Sequence, residues 1–168
     1  MKIEQLRSIR PYQSGLVELL QDCVQSGASI GFIAPLEEGE AGRYWQDVDV
    51  ELVDGSRTML VAVEDGQIAG AVQLSYCMKK NGNHRASVEK LIVHTNFRQR
   101  GIGRQLMVEI EREARAEQRT LLVLDTRNGD PASTLYRTSG YLEAGQIPAY
   151  ARNSDGELAG TTLFYKLL

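Results

Sequence analysis

The segment "NFRQRGIGRQLM", residues 96–107, constrains the fold of this chain more than any other stretch. A strand-like run, "ASVEKLIVH" at 86–94, precedes it, and a helical pattern of apolar residues follows it. Between the two the chain must turn, and Gly101 and Gly103 let the backbone approach a ligand with no Cβ in the way. The segment therefore predicts a strand, a glycine-rich turn and a helix in succession.

The helix after the turn has one apolar face, because apolar residues recur every fourth position from Ile102 to Ala114. Next comes "TLLVLDT", residues 120–126, a continuous apolar run that is typical of a strand covered on both faces. The stretch "PASTLYRTSGY" begins with Pro131, which the first turn of a helix accepts, and ends near Gly140, a natural C-cap. These patterns predict a second strand and a second helix.

The remaining sequence adds two helices and further strands. Apolar spacing predicts a helix over 14–24, with Ser14 as its N-cap, and a helix over 37–53, while 2–10 favours a strand. Four more strand-like runs pair around Asp-Gly turns, at 59–63 with 67–76 and at 142–149 with 161–166. The order of elements predicts a mixed α/β sheet in a single domain, residues 1–168.

Side chains in the strand at 86–94 should alternate between the two faces of the sheet. Ser87 and Glu89 would then share one face, and Val88 and Lys90 the other.

Composition narrows the classes of partner. A net charge of -3 argues against nucleic acid, because a groove for phosphate backbones normally leaves a basic surplus. No apolar run reaches membrane-spanning length, and "MKIEQLRSIR" lacks the apolar core of a signal peptide. Cys23 and Cys77 stand outside any CxxC or Cys/His cluster, which predicts reduced, buried thiols and no metal site. We therefore expect a soluble cytoplasmic protein with no nucleic-acid or membrane partner.

The turn at 96–107 has the properties of an anion site. The first N–H groups of a helix lack intrahelical partners and carry the positive end of its dipole. An anion placed there meets main-chain donors, and Arg98, Arg100 and Arg104 add charged ones, so a pyrophosphate would suit the turn. Arg104-Gln105 stands where a P-loop needs Lys-Ser/Thr, and Leu106 stands where a dinucleotide fingerprint needs a third glycine. A solvated basic turn is the alternative.

These residues resemble a known family. Arg98-x-x-Gly101-x-Gly103, preceded by "VEKLIV" and followed by an amphipathic helix, resembles the acetyl-CoA signature of the GNAT superfamily of acetyltransferases. The downstream "PASTLYRTSGY" is similar to the helix that ends in Tyr-x-x-x-Gly-aromatic in that family. More narrowly, "GASIGF", "HRASVEKLIV" and "YARNSDGELAGTTLFYK" resemble the tabtoxin resistance acetyltransferase subfamily.

The resemblance implies a fold and a cosubstrate. It implies a GNAT-type, mostly antiparallel sheet with helices on both faces, in which the two central strands splay into a V-shaped cleft for acetyl-CoA. The strand backbone at Leu91, Ile92 and Val93 would pair with the pantetheine arm of CoA. The pyrophosphate would lie on the amides of the turn, namely Arg98, Gln99, Arg100, Gly101, Ile102, Gly103 and Arg104.

The resemblance also implies catalytic residues. Tyr136 would donate a proton to the departing thiolate, a role that suits a phenol, which stays protonated at neutral pH. The alternative for Tyr136 is packing of its ring in the core. A carboxylate, Glu89 or Asp125, would accept the proton that an amine loses, either directly or through water. For each carboxylate a purely structural role is an equal alternative.

The leading hypothesis is an N-acetyltransferase that moves the acetyl group of acetyl-CoA to the amine, or the hydroxyl, of a small molecule by direct attack. Two alternatives stay open, namely acetylation of a protein or peptide and a CoA-binding module without turnover. Relatives of this kind are often dimers, so the resemblance adds a homodimer as one expected assembly.

Overall fold

One seven-stranded sheet, flanked by four α-helices, carries the fold in the computed structural model, which describes residues 1–168. The strands are β1 (Lys2–Leu6), β2 (Arg57–Glu64), β3 (Gln67–Tyr76), β4 (Arg85–Val93), β5 (Leu121–Arg127), β6 (Leu142–Arg152) and β7 (Leu158–Leu167). The helices are α1 (Gln13–Gln25), α2 (Glu38–Asp54), α3 (Ile102–Ala116) and α4 (Ala132–Thr138). Short 3₁₀ turns occupy Arg10–Tyr12 and Thr95–Phe97.

The sheet is mixed and mostly antiparallel, as predicted. Its strand order is β1-β2-β3-β4-β5-β7-β6, and every neighbouring pair is antiparallel except β4 with β5. The hairpin between β2 and β3 turns at Asp65-Gly66, where both residues have positive φ. Such a turn matches the right-handed twist of the strands that it joins.

The helices cover both faces of the sheet, and each face has its own hydrophobic core. Residues of α1 and α2 pack against one face, where Trp45 is fully buried and donates from Nε1 to the carbonyl of Leu16 at 2.9 Å. Residues of α3 and α4 pack against the other face. Consecutive residues of β2 divide between the two cores, since Met59 and Val61 join the first and Leu60 joins the second.

A β-bulge interrupts β4. The register pairs Gln73 with Glu89 and Ala71 with Ile92, so two residues of β4 stand opposite one residue of β3. The bulge lies at Lys90, whose φ of 49° is in the left-handed region. A bulge of this kind leaves an extra residue unpaired and bends the strand.

The bulge reverses the alternation of side chains along β4. Before it, Val88 packs in the core beneath α3 and α4; beyond it, Leu91 and Val93 pack against that same core. Ile92 instead packs on the face of α1 and α2. The prediction that Lys90 shares a face with Val88 is therefore wrong: Lys90 lies against aromatic rings on the α1/α2 face.

Two smaller predictions are also wrong. Ser14 does not cap α1, because that helix begins at Gln13, and Tyr12 holds the N-cap position without a side-chain hydrogen bond. The first strand ends at Leu6 and does not reach residue 10, because Arg10–Tyr12 form a 3₁₀ helix with Pro11 in its first turn.

Strands β4 and β5 pair only at their N-terminal ends. The parallel register joins Arg85 to Leu121 and Ser87 to Val123, and no pair follows. Beyond Ser87 the edge of β4 that faces β5 therefore has no strand partner. This is the splay between central strands that the resemblance implied, and it opens the cleft described next.

Candidate active site

A cleft of about 830 Å³ lies between the separated ends of β4 and β5. Most of the residues singled out in the sequence line it, namely Glu89, Leu91, Ile92, Val93, Arg98, Gln99, Gly101, Ile102, Gly103, Asp125 and Tyr136. Arg100 and Arg104 lie outside its lining. The folding of the chain thus brings together residues that are up to 47 positions apart, from Glu89 to Tyr136.

The glycine-rich turn presents a row of free backbone donors. Six consecutive N–H groups, from Gln99 to Arg104, have no hydrogen-bond acceptor in the chain, and the first helical bond of α3 runs from Gln105 to the carbonyl of Gly101. Gln99 and Gly101 both have positive φ, 61° and 77°. Left-handed residues that alternate with others turn successive N–H groups inward, into a concavity suited to an anion.

The arginine side chains of this turn already have partners. Arg98 donates to the carbonyl of Val93 (3.0 Å) and to Ser26 Oγ (2.7 Å), which ties the turn to the end of α1. Arg100 donates to its neighbouring backbone at Asn96 O, and Arg104 donates to Thr138 Oγ1. Each guanidinium keeps further N–H donors, but only Arg98 of the three arginines lines the cleft, so the main chain supplies most of the free donors there.

Tyr136 lines the cleft from α4. Its ring belongs to the core beneath α3 and α4 and is tilted against those of Tyr141 and Phe164. Burial raises the pKa of Tyr136 above its ordinary value, and the nearby charges of Asp125 and Asp130 raise it further. The phenol therefore keeps its proton across the physiological pH range.

Glu89 is held by a polar network on the α1/α2 face. Arg57 Nη1 donates to Glu89 Oε2 at 2.8 Å and to Gln73 Oε1 at 2.5 Å, and Arg57 also pairs with Glu51. Gln73, fully buried on the central strand, donates in turn to Tyr44 Oη at 2.9 Å. One oxygen of Glu89 is thus committed to an arginine, and the carboxylate is fixed in place.

Asp125 stands opposite on β5. It is exposed, and Thr161 Oγ1 donates to its Oδ2 at 2.8 Å. The ladder between β4 and β5 ends at Ser87 and Val123, two residues before Glu89 and Asp125 on their strands. Both carboxylates therefore lie where the two strands begin to separate.

The two faces of the cleft have different chemistry. Leu122 and Leu124 of β5 pack beneath α3 and α4. Asp125 is the next residue of the strand, so its side chain points to the opposite, α1/α2 side, as that of Glu89 does. Tyr136 and the free N–H groups belong to the α3/α4 side. A ligand in the cleft would therefore meet the two carboxylates on the α1/α2 side, and the anion site and the phenol on the α3/α4 side.

Lys90 is a cleft residue that the sequence patterns did not indicate. Its Nζ lies 6.0 Å from the ring centroid of Phe32 and 5.6 Å from that of Tyr44. Burial lowers the pKa of Lys90, and the charges of Glu89 and Asp125 partly oppose that effect. In the sequence Lys90 is an ordinary lysine of a predicted strand. The bulge that turns it becomes visible only in the pairing of β4 with β3.

The segment after α1 closes the α1/α2 side of the cleft. Arg127 Nη2 donates to the carbonyl of Gly27 at 3.1 Å, and the backbone N–H of Ala34 donates to Ser154 Oγ at 3.0 Å. These bonds tie residues 27–34 to the end of β5 and to the turn between β6 and β7. Tyr150, half of which is exposed, lines the cleft at this rim.

Cys23 lines the cleft but is unsuited to act as a nucleophile. Burial raises the pKa of its thiol to about 11, and Sγ donates to the carbonyl of Val93 at 3.5 Å. A nucleophilic cysteine needs its thiolate at neutral pH. The prediction that Cys23 is a small buried residue is confirmed.

The comparisons with known proteins agree with this geometry. The model of the acetyltransferase (GNAT) family matches residues 16–141, three quarters of the chain. An uncharacterized N-acetyltransferase from the hisH-hisA intergenic region of Azospirillum brasilense is 35% identical over 117 residues, which cover 67% of this chain and 66% of that protein. The chain belongs to the GNAT acetyltransferase family, whose members take an acetyl group from acetyl-CoA.

Solved structures share the fold. The ribosomal-protein-alanine N-acetyltransferase of Brucella melitensis superposes with a TM-score of 0.85 and 24% identity, with both chains covered completely. The acetyltransferase yncA of Salmonella typhimurium, solved with its cofactor acetyl-CoA, gives a TM-score of 0.80 at 16% identity over 100% of this chain and 95% of that one. At these identities the likeness concerns the fold alone.

Two further observations concern the whole chain. None of its helices combines the length and the apolar character needed to cross a bilayer. No group of three or more His, Cys, Asp or Glu side chains is placed to hold a metal ion.

Proposed function

We propose that this protein transfers the acetyl group of acetyl-CoA to the amine of a small molecule by direct attack within the cleft. The observation that carries the proposal is the division of the cleft, in which an anion site and a phenol face one side and carboxylates face the other. A donor and an acceptor can then approach the same point from opposite faces of the sheet.

The residues of the turn fit coenzyme A. The free N–H groups from Gln99 to Arg104 form a cradle for a pyrophosphate. The edge of β4 from Leu91 to Val93 has no strand partner and can offer backbone groups to a pantetheine arm, although the carbonyl of Val93 already accepts from Arg98 and Cys23. Gly103 lets α3 lie close to α4, because a Cβ at this position would already be 3.4 Å from Leu135 Cδ2. Acetyl-CoA, when bound, supplies an acetyl group activated as a thioester.

The chain's own residues then manage protons and position. Tyr136 keeps its proton at neutral pH, because its pKa is raised, and it lines the cleft where it can donate that proton to a departing thiolate. Asp125 is the better placed base, since its partner is the neutral Thr161, whereas Glu89 is bonded to Arg57. Glu89 would orient the amine or a water. Free N–H groups of β4 can polarise a carbonyl.

A small acceptor suits the closed α1/α2 side. The bonds from Arg127 to Gly27 and from Ala34 to Ser154 hold the two rims of the cleft together, where an extended peptide would need an open groove. The resemblance to the tabtoxin resistance subfamily, which rests on short segments such as "GASIGF", favours the same class of acceptor. The runner-up is a protein or peptide amine, since the Brucella melitensis relative is named as an acetyltransferase of ribosomal-protein alanine.

Thiol release from acetyl-CoA tests the proposal. The purified chain should bind CoA in calorimetry and release thiol with members of a panel of small amines, and it should turn over an Ala-initiated peptide poorly. Preference for the peptide would support the runner-up. If the chain binds CoA but acetylates no amine, hydroxyl compound or peptide, the proposed acetyl transfer is refuted and the protein is a CoA-binding module.

A further inference from the structure

Lys90 presents a cation that the chain does not neutralise. Its side chain is half-buried against the rings of Phe32 and Tyr44, and its Nζ forms no hydrogen bond or ion pair with the chain. The rings offset part of the loss of hydration through cation–π attraction. Its three N–H donors nevertheless have no acceptor in the chain, and a partly buried charge of this kind is stabilised when it meets an anion.

Neither neighbouring carboxylate forms an ion pair with Lys90. Glu89 is the adjacent residue, but its Oε2 accepts from Arg57 at 2.8 Å. Asp125 lies on the other strand, beyond the point where β4 and β5 part, and its Oδ2 accepts from Thr161. The segment after α1 brings Gly31 close to Lys90, with space for a Cβ 3.8 Å from Nζ, but adds no charge there.

The bulge places this cation in the acceptor half of the cleft. Because the bulge turns Lys90 onto the α1/α2 face, its ammonium group lies on the same side as Glu89 and Asp125 and away from the phosphate cradle at the start of α3. A ligand between β4 and β5 on this side would meet a positive group on one strand and a negative group on the other.

We propose that Lys90 binds a carboxylate of the acceptor, so that the acceptor is an amino acid or a similar amine with a carboxylate near its nitrogen. This inference rests on the proposed function and names its substrate class. The carboxylate supplies the anion that Lys90 lacks, and the amine then lies toward Asp125. Polyamines are disfavoured, because Lys90 repels a second positive charge.

Matched pairs of acceptors test this assignment. Thiol release is measured with the amino acids and with their carboxamides, which keep the amine and lose the negative charge, and with spermidine. For wild-type protein we expect kcat/KM at least about tenfold higher for the amino acid of a productive pair, equivalent to about 1.4 kcal/mol. Lys90→Met should abolish that preference by raising KM for the amino acid. Lys90→Arg should restore part of it.

Each other outcome overturns the inference in a recognisable way. Equal turnover of both members of the pairs, or turnover of spermidine alone, refutes it and leaves the acetyltransferase intact. An equal loss of kcat on both members in Lys90→Met, with CoA affinity unchanged, would mean that Lys90 transfers a proton instead. If no amine is turned over at all, the proposed function fails as well. Calorimetry with CoA checks that each variant is folded.

Discussion

Two tyrosines in one hydrophobic core illustrate how position decides the role of a side chain. The rings of Tyr136 and Tyr141 lie 6.0 Å apart, and both are almost wholly buried. Only Tyr136 reaches the cleft, whereas the hydroxyl of Tyr141 is buried without a hydrogen-bond partner. The second tyrosine is therefore a matched control for the first.

Replacement of Tyr136 should lower the rate of acetyl transfer and leave the affinity for CoA unchanged. We expect Tyr136→Phe to lower kcat about 100-fold, because a general acid is lost while the ring still fills its space. Tyr141→Phe should keep wild-type kcat and unfold at the same or a higher temperature, since it removes a buried unpaired hydroxyl. Thiol-release kinetics and thermal unfolding provide the two measurements. Equal kcat in both variants would remove Tyr136 from the mechanism.

The two cleft carboxylates should differ in the same assay. Asp125→Asn should lower kcat/KM about 100-fold, because it removes the proposed base. Glu89→Gln should cost less activity but should lower the free energy of unfolding by about 1 kcal/mol, since Arg57, with 11% of its side chain exposed, loses one charged partner. Thiol-release kinetics and urea unfolding distinguish the two variants. A larger activity loss in Glu89→Gln would place the base on β4.

At the scale of elements, the turn between β4 and α3 depends on backbone conformation. Gly101 has a φ of 77°, and a Cβ there would meet nothing closer than Gln105 Nε2 at 4.0 Å. The glycine is therefore needed for its conformation more than for space. Gly55, at the end of α2 with a φ of 78° and nothing within 4 Å, has the same backbone strain far from the cleft.

This pair of glycines separates stability from cofactor binding. Alanine at either position should destabilise the fold by about 1 kcal/mol, the cost of a left-handed non-glycine residue. Gly101→Ala should in addition weaken CoA binding about tenfold, or about 1.4 kcal/mol, by redirecting the free N–H groups. Urea unfolding and calorimetry with CoA measure the two effects. A similar loss of CoA affinity in Gly55→Ala would show that the effect is general destabilisation.

At the scale of the whole molecule, Arg127 joins three distant parts of the chain. It donates to Asp130 on its own side (3.0 Å), to Asn153 beside the β6–β7 turn (3.2 Å) and to Gly27 after α1 (3.1 Å). No neighbouring pair of elements could form this closure alone. The α1/α2 side of the cleft is thus a product of the complete fold.

Removing the hydrogen bonds of Arg127 should weaken binding of the acceptor and leave the affinity for CoA unchanged. Arg127→Ala is expected to raise KM for the acceptor about tenfold and to leave the Kd for CoA within about threefold of wild type, which corresponds to less than about 0.7 kcal/mol. Arg112→Ala, which removes an exposed arginine of α3 with ion pairs to Glu109 and Glu113, is the control and should change neither constant. Equal effects on acceptor and CoA would contradict an acceptor-side role for Arg127.

The local patterns predicted most of the architecture. The strand, turn and helix around residues 96–107, the Asp-Gly hairpins and the buried face of α3 all agree with the structure, because each depends on periodicity or on backbone preferences within a few residues. The cap predicted at Ser14 was wrong because capping depends on where the helix begins. The helix follows the 3₁₀ turn at Arg10–Tyr12 directly, so the N-cap position is Tyr12, two residues before Ser14.

The sequence by itself determined which segments become strands and helices, where free N–H groups gather beside Gly101, and which family the motifs resemble. Only the tertiary structure decided that Lys90 faces the α1/α2 side, that Arg57 holds Glu89 and that Arg127 closes the cleft. The physical reason is that a bulge, an ion pair and a closing contact arise between strands and loops far apart in the chain. Their register and distance are set by packing of the whole sheet, and no local pattern encodes them.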